Sequence, residues 1–383
     1  MPDFIYADNA ATSFPKPEPV YEFMSSFFRE RAFSPGRASY DAALETVQLV
    51  YETRTLLTEF FGGNDVDRLT FCYNASDALN MLIFGLVNKG DHVVTSMLEH
   101  NSVLRPLHHR REAGEIEVTH VPADGHGYLD PDDVERAFRK NTRVVILNHV
   151  SNVIGTVQPI TEVGRRCRRA GVLFVVDASQ SAGTIPIDMS AMCIDALAFT
   201  GHKGLMGPSG IGGICSLTGV DIRPTRFGGT GINSLDRSHI DAFPYRLECG
   251  TLNVLGIAGL NAGVKWIQSE GLERIHANEM QLWHLLKAGL EQLDGVVSYC
   301  TDWTRPRTAV LSMNLAGWLP ADLGMVLDVD HGIAVRTGLQ CAPLVHEQIG
   351  TIGAKGTVRF SLGPFNTPEQ VAAILSALRE VAS

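Results

Sequence analysis

FVVDASQSAGTIPIDMSAMCIDALAFTGHKG, spanning Phe174–Gly204, is the stretch that decides the fold. It overlaps an apolar run, Val172–Val176, which reads as a buried strand and ends on Asp177. A second run, Ala196–Phe199, reads the same way and leads into Thr200-Gly201-His202-Lys203. An acid and an amine therefore each stand just past the carboxyl end of an expected strand. Open α/β sheets bind ligands in the crevice outside those strand ends.

The same pattern extends outward in both directions. Leu69–Tyr73, Val93–Ser96, Val118–Val121 and Val144–Leu147 are further strand candidates, with helical patterns at Ser76–Leu86 and Thr161–Ala170 between some of them. Strands alternating with helices predict an α/β protein with a mostly parallel sheet covered on both faces. Upstream, Glu18–Arg31 and Ala42–Phe61 read as helices, separated by Ser34-Pro35-Gly36-Arg37, with Gly62-Gly63 as a stop. Downstream, Arg223–Gly250 is irregular, and Val254–Gln268 and Leu272–Leu293 are helical. The second of these serves as the hinge into a smaller C-terminal α/β region. There the strands Val296–Cys300, Val310–Asn314, Ile333–Val335 and Thr357–Phe360 alternate with helices Ala321–Asp328 and Pro368–Val381.

Bulk properties narrow the function. With 383 residues, 45% of them hydrophobic, the chain can bury a large core and fill two or three domains. A net charge of −10 disfavours a sequence-independent nucleic-acid binder. The densest basic cluster, His108–Arg111, reads as a solvated helix face. MPDFIYADNAATS lacks the basic and apolar regions of a secretory signal, and no run approaches the ~18 apolar residues of a membrane span. A cytoplasmic protein with no membrane or nucleic-acid partner is expected. Seven scattered cysteines with no CxxC pair argue against a disulfide framework and against a structural zinc, so no metal is expected.

Asp177 and Lys203 suit pyridoxal phosphate (PLP): the lysine forms the Schiff base, and the acid pairs with the pyridinium nitrogen so that the ring withdraws electrons. Taken singly, an Asp after a strand is a turn or cap residue and a Lys a surface charge. The flanking chain adds to the pair. Asn74-Ala75-Ser76 follows a strand and opens a helix, which makes either a phosphate site or a plain N-cap. His100, after the strand Val93–Ser96, either stacks on a planar cofactor or caps a loop. Asn152 and Gln180 also follow strands and could reach the same ligand. Asn9-Ala10-Ala11-Thr12 is a small, polar loop suited to lying close to it. The glycines after Lys203 (Gly204, Gly207, Gly210, Gly212, Gly213) come on the wrong side of the lysine for an NTPase loop; they permit tight turns near a ligand. Cys341 lies in a loop between Gly338 and Pro343, where a thiol can be exposed and reactive as the thiolate. Arg359, inside an apolar strand, needs an anion: a substrate carboxylate or an acid of the chain.

Together these residues resemble the class V fold-type I PLP enzymes, and within them the cysteine desulfurases and selenocysteine lyases. The resemblance runs from Tyr6–Thr12 to Arg359–Thr367, and is most specific at Asp177–Gly183, Thr200–Lys203 and Gly207–Gly212. It implies a large PLP-binding domain over 15–260 with a seven-stranded sheet, and a small domain of 1–14 with 261–383. It implies that Lys203 carries PLP, Asp177 pairs with the ring nitrogen, Gln180 reaches the ring oxygen with Asn152 nearby, and His100 stacks on the ring and is a candidate proton carrier. Ala75, Ser76, Thr200 and His202 match phosphate-binding positions. Thr251 matches the residue that reaches the neighbouring subunit's phosphate, which implies a homodimer. Arg359, with Asn9 and Ala11, would bind substrate, and Cys341 would be the catalytic thiol of the short-loop group. The implied reaction takes sulfur from L-cysteine, gives L-alanine, leaves a persulfide on Cys341 and passes sulfur to an acceptor protein. L-selenocysteine is the alternative substrate; another class V aminotransferase or lyase and a non-catalytic sulfur scaffold are the competing readings. One departure stands out: Leu339-Gln340 replaces the group's usual His-His before the cysteine.

Overall fold

A computed structural model describes residues 4–35 and 40–382. The strands are β1 Ile5–Tyr6, β2 Leu69–Cys72, β3 His92–Ser96, β4 Glu117–Val121, β5 Thr142–Asn148, β6 Leu173–Asp177, β7 Ala196–Thr200, β8 Gly212–Ser216, β9 Val296–Tyr299, β10 Val310–Leu315, β11 Ile333–Ala334, β12 Arg336–Gly338 and β13 Thr357–Ser361. The helices are α1 Glu18–Glu30, α2 Asp41–Phe60, α3 Ala75–Leu86, α4 Asn101–Glu112, α5 Pro131–Arg136, α6 Ile160–Ala170, α7 Val254–Glu270, α8 Leu272–Leu290, α9 Pro320–His331, α10 Pro343–Gln348 and α11 Pro368–Ala382.

Seven strands form the central sheet in the order β2-β8-β7-β6-β5-β3-β4. Only β8 runs against its neighbours. Period-two alternation explains why both faces are covered. Val145, Leu147, Phe174, Val176, Leu197 and Phe199 enter one core with α2, α5, α6 and α7. Their neighbours Val144, Ile146, Val175, Ala196 and Ala198 enter the opposite core with α3 and α4. Strands buried on both sides lack the polar alternation of a half-exposed sheet, which is why they read as continuous apolar runs. Each Val, Leu, Ile or Phe among them contributes about 1.5–3 kcal/mol on burial.

A third core belongs to the C-terminal region. The antiparallel sheet β12-β13-β10-β9 packs with α8, α9 and α11 around Trp283, Leu311, Leu327, Phe360 and Ile374. Ala7 joins that core, and β1 pairs in parallel with β11. The chain's beginning is therefore bound to its end.

Three details differ from the sequence reading. Gly212–Ser216 is a central strand rather than a turn. A Cβ on Gly213 would stand 2.5 Å from the Thr70 carbonyl oxygen and 2.6 Å from the Phe199 ring, so glycine is needed there for close packing. The strand expected at Ile333–Val335 is β11, Ile333–Ala334, and a further strand not expected there, β12 at Arg336–Gly338, follows it in a different sheet. Within His108–Arg111, Arg110 is buried: it pairs with Glu115 at 2.9 Å and donates to the Val87 carbonyl at 3.0 Å, while the rest of the cluster stays exposed. Gly36 and Arg37 of the expected separator lie outside the described residues.

The turns after β6 and β7 pack backbone on backbone. Gly183 has φ +79°, and a Cβ there would come 2.3 Å from the Gly204 carbonyl oxygen. Gly183→Ala combines a left-handed backbone with a clash that no side-chain movement relieves. It should cost about 2–4 kcal/mol, read as a lowered urea midpoint with an unchanged slope.

Candidate active site

The carboxyl ends of the parallel strands, with the N-terminal loop and the β12–α10 loop, enclose a cavity of about 490 Å³. The strand exit at β2 supplies Ala75 and Ser76; the exit at β3 supplies His100 and Ser102. Asn148 and Asn152 come from β5, Asp177 and Gln180 from β6, and Thr200, His202 and Lys203 from β7. Ala11, Arg336, Cys341 and Arg359 complete the wall. Register fixes the centre: Asp177 pairs with Asn148 on one side and Ala198 on the other.

Asp177 is buried, and its Oδ1 accepts from the Ser179 N–H at 2.9 Å and the Ser179 hydroxyl at 2.5 Å. The second carboxylate oxygen carries no hydrogen bond among the described residues. Burial pushes the Lys203 amine down from 10.5 to about 8, against the pull of Asp177. Burial likewise lowers His100 and takes His202 to about 4, so both imidazoles are neutral near pH 7. His100 caps α4: its Nδ1 accepts from the Ser102 N–H at 3.1 Å, which leaves the proton on Nε2. Behind it, Glu99 is fully buried, and its Oε1 accepts from the Ser96 hydroxyl (2.6 Å) and from the Asn148 N–H (3.1 Å). Burial pushes that carboxyl up to about 8.

The expected phosphate positions stand together. Asn74 caps α3 by accepting from the Asp77 N–H at 3.0 Å. The N–H groups of Ala75 and Ser76 have no acceptor among the described residues, and the Ser76 hydroxyl meets that of Ser102 at 2.5 Å. Ser102 was not singled out in the sequence; its place two residues after His100, in the first turn of a helix, was the available signal. Thr200 Oγ1, His202 Nδ1, Asn152 Oδ1 and Arg359 Nε are buried without partners. Buried polar atoms without partners are costly. A helix N-terminus, a hydroxyl, an imidazole and a free carboxylate oxygen fit the phosphate and the protonated pyridine of PLP, and a buried amine fits its aldehyde.

Other expected residues have different surroundings. Arg359, 2% exposed, donates to Asp8 Oδ1 at 2.6 Å and to the Asn152 carbonyl at 2.8 Å. Asp8 also pairs with Arg336 at 2.8 Å. The arginine thus has an acid of the chain as its partner and still lines the cavity. Gln180 donates to the Ala10 carbonyl at 2.9 Å. The amide of Asn9 donates to the Ser361 carbonyl and to Asn366, and Asn9 lines a separate chamber of about 40 Å³ shared with Lys203. Thr251 lies apart, in a cavity of about 630 Å³ with Tyr51, Arg54 and Glu248. A buried bidentate pair, Arg54 with Glu248 at 2.9 and 3.1 Å, holds that segment, and Glu248 also accepts from the Phe71 N–H at 2.7 Å.

Of the seven thiols, Cys341 alone is exposed. Cys72, Cys167, Cys193 and Cys215 are buried, and burial pushes Cys167 and Cys215 up to about 12. Gln340 and Cys341 have φ +41° and +58°, consecutive left-handed residues that cost about 1–3 kcal/mol each.

The aminotransferase class-V family matches residues 5–374. A probable cysteine desulfurase of Methanothermobacter thermautotrophicus is 35% identical, over 99% of this chain and 95% of that protein. One from Pyrococcus abyssi is 33% identical, over 99% and 94%. The apo structure of the cysteine desulfurase from Thermococcus onnurineus NA1 superposes with a TM-score of 0.91 at 32% identity, covering 99% of this chain and 95% of that one. The fold is thus that of the fold-type I enzymes, and the chain belongs to the class-V aminotransferase family. Within that family, its full-length relatives place it in the cysteine desulfurase group.

The buried amine has a thermodynamic signature. Below pH 8 the ammonium is present in both folded and unfolded chains, and the folded state bears its desolvation. Between pH 8 and 10.5 only the unfolded chain holds the proton, so stability rises with pH. In the PLP-free protein, Lys203→Met should therefore be more stable than the parent by about 3 kcal/mol at pH 7, with the gap closing toward pH 10.5. Urea titrations across that range measure it; a constant gap would contradict the assignment.

Proposed function

We propose that this chain takes sulfur from L-cysteine, with PLP held at Lys203, and carries it as a persulfide on Cys341 to an acceptor protein. The observation that carries the reading is the exposed Cys341 thiol on the wall of the cavity that holds the Asp177 and Lys203 side chains. A class V aminotransferase, or a lyase other than a selenocysteine lyase, has no need of a thiol there.

Bound at this site, PLP would supply an electron sink that acidifies the Cα–H of an amino acid. The residues of the chain do the rest. Ala75, Ser76, Thr200 and His202 would hold its phosphate, Asp177 would keep a proton on its pyridine nitrogen, and His100 would pack against it. Gln180 and Asn152 would serve its ring oxygen. Arg359 receives the substrate carboxylate, with Asn9 and Ala11 in the loop beside it. The Lys203 amine, eased toward neutrality by burial, takes up and returns the proton at Cα. The Cys341 thiolate attacks the substrate sulfur: the S–S bond forms as the Cβ–S bond breaks, and protonation at Cβ gives alanine.

The domain division at residues 14/15 and 260/261, a homodimer in which Thr251 serves the partner's phosphate, and a cytoplasmic location belong to the same reading. It is supported by the position of Thr251 outside this chain's own cavity. Among the described residues no helix is long and apolar enough to cross a membrane.

The deciding experiment is an absorbance spectrum of the purified protein with PLP, followed by addition of cysteine with alanine and sulfide measured together; selenocysteine in parallel separates the two substrates. Cys341→Ser should keep the PLP band and lose sulfide release by about 10²-fold or more. Release at the parent rate would remove Cys341 from the mechanism. Arg359→Lys loses the planar fork, and should raise KM for cysteine about tenfold with a smaller change in kcat.

A further inference from the structure

Cys341 sits in a backbone conformation that its own side chain does not favour, directly after another left-handed residue, Gln340. Such a conformation persists only where the surroundings over-determine it. The surroundings converge on Gln340, which is 9% exposed although its neighbours Leu339 and Cys341 are exposed. Its Nε2 donates to the Thr357 carbonyl at 2.9 Å, and its Oε1 accepts from His346 Nε2 at 2.8 Å. Its carbonyl accepts from Asn152 Nδ2 at 2.7 Å.

The tautomers follow from this connectivity. Gln340 Oε1 cannot donate, so His346 Nε2 carries the proton, and His346 Nδ1 accepts from the Thr351 hydroxyl at 2.7 Å. Burial holds that imidazole down, to about 4, so the arrangement does not change across the neutral range. Asn152 ties the same residue to the cavity: its carbonyl accepts from Arg359, and its Oδ1 is buried without a partner. The thiol loop, the arginine and the cavity wall thus meet around Gln340.

We propose that Gln340 is the positioning residue of the Cys341 thiol, locked by the hydrogen-bonded chain Gln340–His346–Thr351 and coupled to the cavity through Asn152. The proposal rests on the reading of Cys341 as the residue that accepts sulfur. The Leu339 backbone reaches His346, but its side chain takes no part in this network, so of the two side chains preceding the thiol only that of Gln340 carries the role.

The test is a double-mutant cycle on the PLP-loaded protein with Gln340→Leu, His346→Leu and the pair, measuring single-turnover persulfide formation, KM for cysteine and the iodoacetamide alkylation rate of Cys341 by peptide mass. Loss of one buried hydrogen bond corresponds to about a tenfold effect. Each single variant should slow persulfide formation about tenfold with KM and the PLP band unchanged, should alter the alkylation rate, and the pair should be no worse than either alone. Gln340→Asn, which keeps the amide but is too short to span both partners, carries the test if the leucine variants do not fold. Parent-like rates in Gln340→Leu and Gln340→Asn, multiplying effects in the pair, or a lost PLP band in Gln340→Asn would overturn the proposal. If the parent itself releases no sulfide, the functional reading fails, and the alkylation rates alone decide the positioning role.

Discussion

The structure depends on keeping an amine and a carboxylate out of water within one cavity. Asp177 and Lys203 follow adjacent parallel strands, and burial drives the Lys203 amine toward neutrality while Asp177 draws it back. The double-sided sheet provides the rigidity: residues pointing alternately into two separate cores leave the strand ends no freedom to relax. The glycines at 183, 212 and 213 serve the same end, because they let the backbone approach where any side chain would force the turns apart.

Around that pair, polar groups are arranged in two classes. Some are satisfied within the chain, such as Asn74 on its helix and His100 on Ser102. Others, including Thr200 Oγ1, His202 Nδ1 and Asn152 Oδ1, are buried and left open. All three line the cavity, the placement expected of a surface shaped for a polar ligand.

Much of this was legible in the sequence, because the informative residues sit at strand ends and strand ends can be read from apolar runs. Asp177, Lys203, Ser76 and His100 were found that way and share one cavity. What could not be read were pairings between distant segments. The Arg359–Asp8 bridge joins opposite ends of the chain, and nothing local to either residue indicates the other. The strand at Gly212–Ser216 was hidden because its glycines are explained by Phe199 and Thr70, not by local conformation. Arg110 looked solvated because its carbonyl partners, at Ile83 and Val87, lie on and just after α3. Gln340 looked like a simple departure from a pattern until Thr357 and His346 were seen to hold it.

Asp8 neutralises Arg359 and Arg336 at once, and the short strand before it is stitched to Ile333 and Ala334. Trimming the first eight residues, a common step in making proteins easier to crystallise or fuse, would leave the buried Arg359 guanidinium without its counter-ion and the half-exposed Arg336 without its partner. Tags and linkers are better attached at the opposite terminus, because α11 carries no group that lines the cavity.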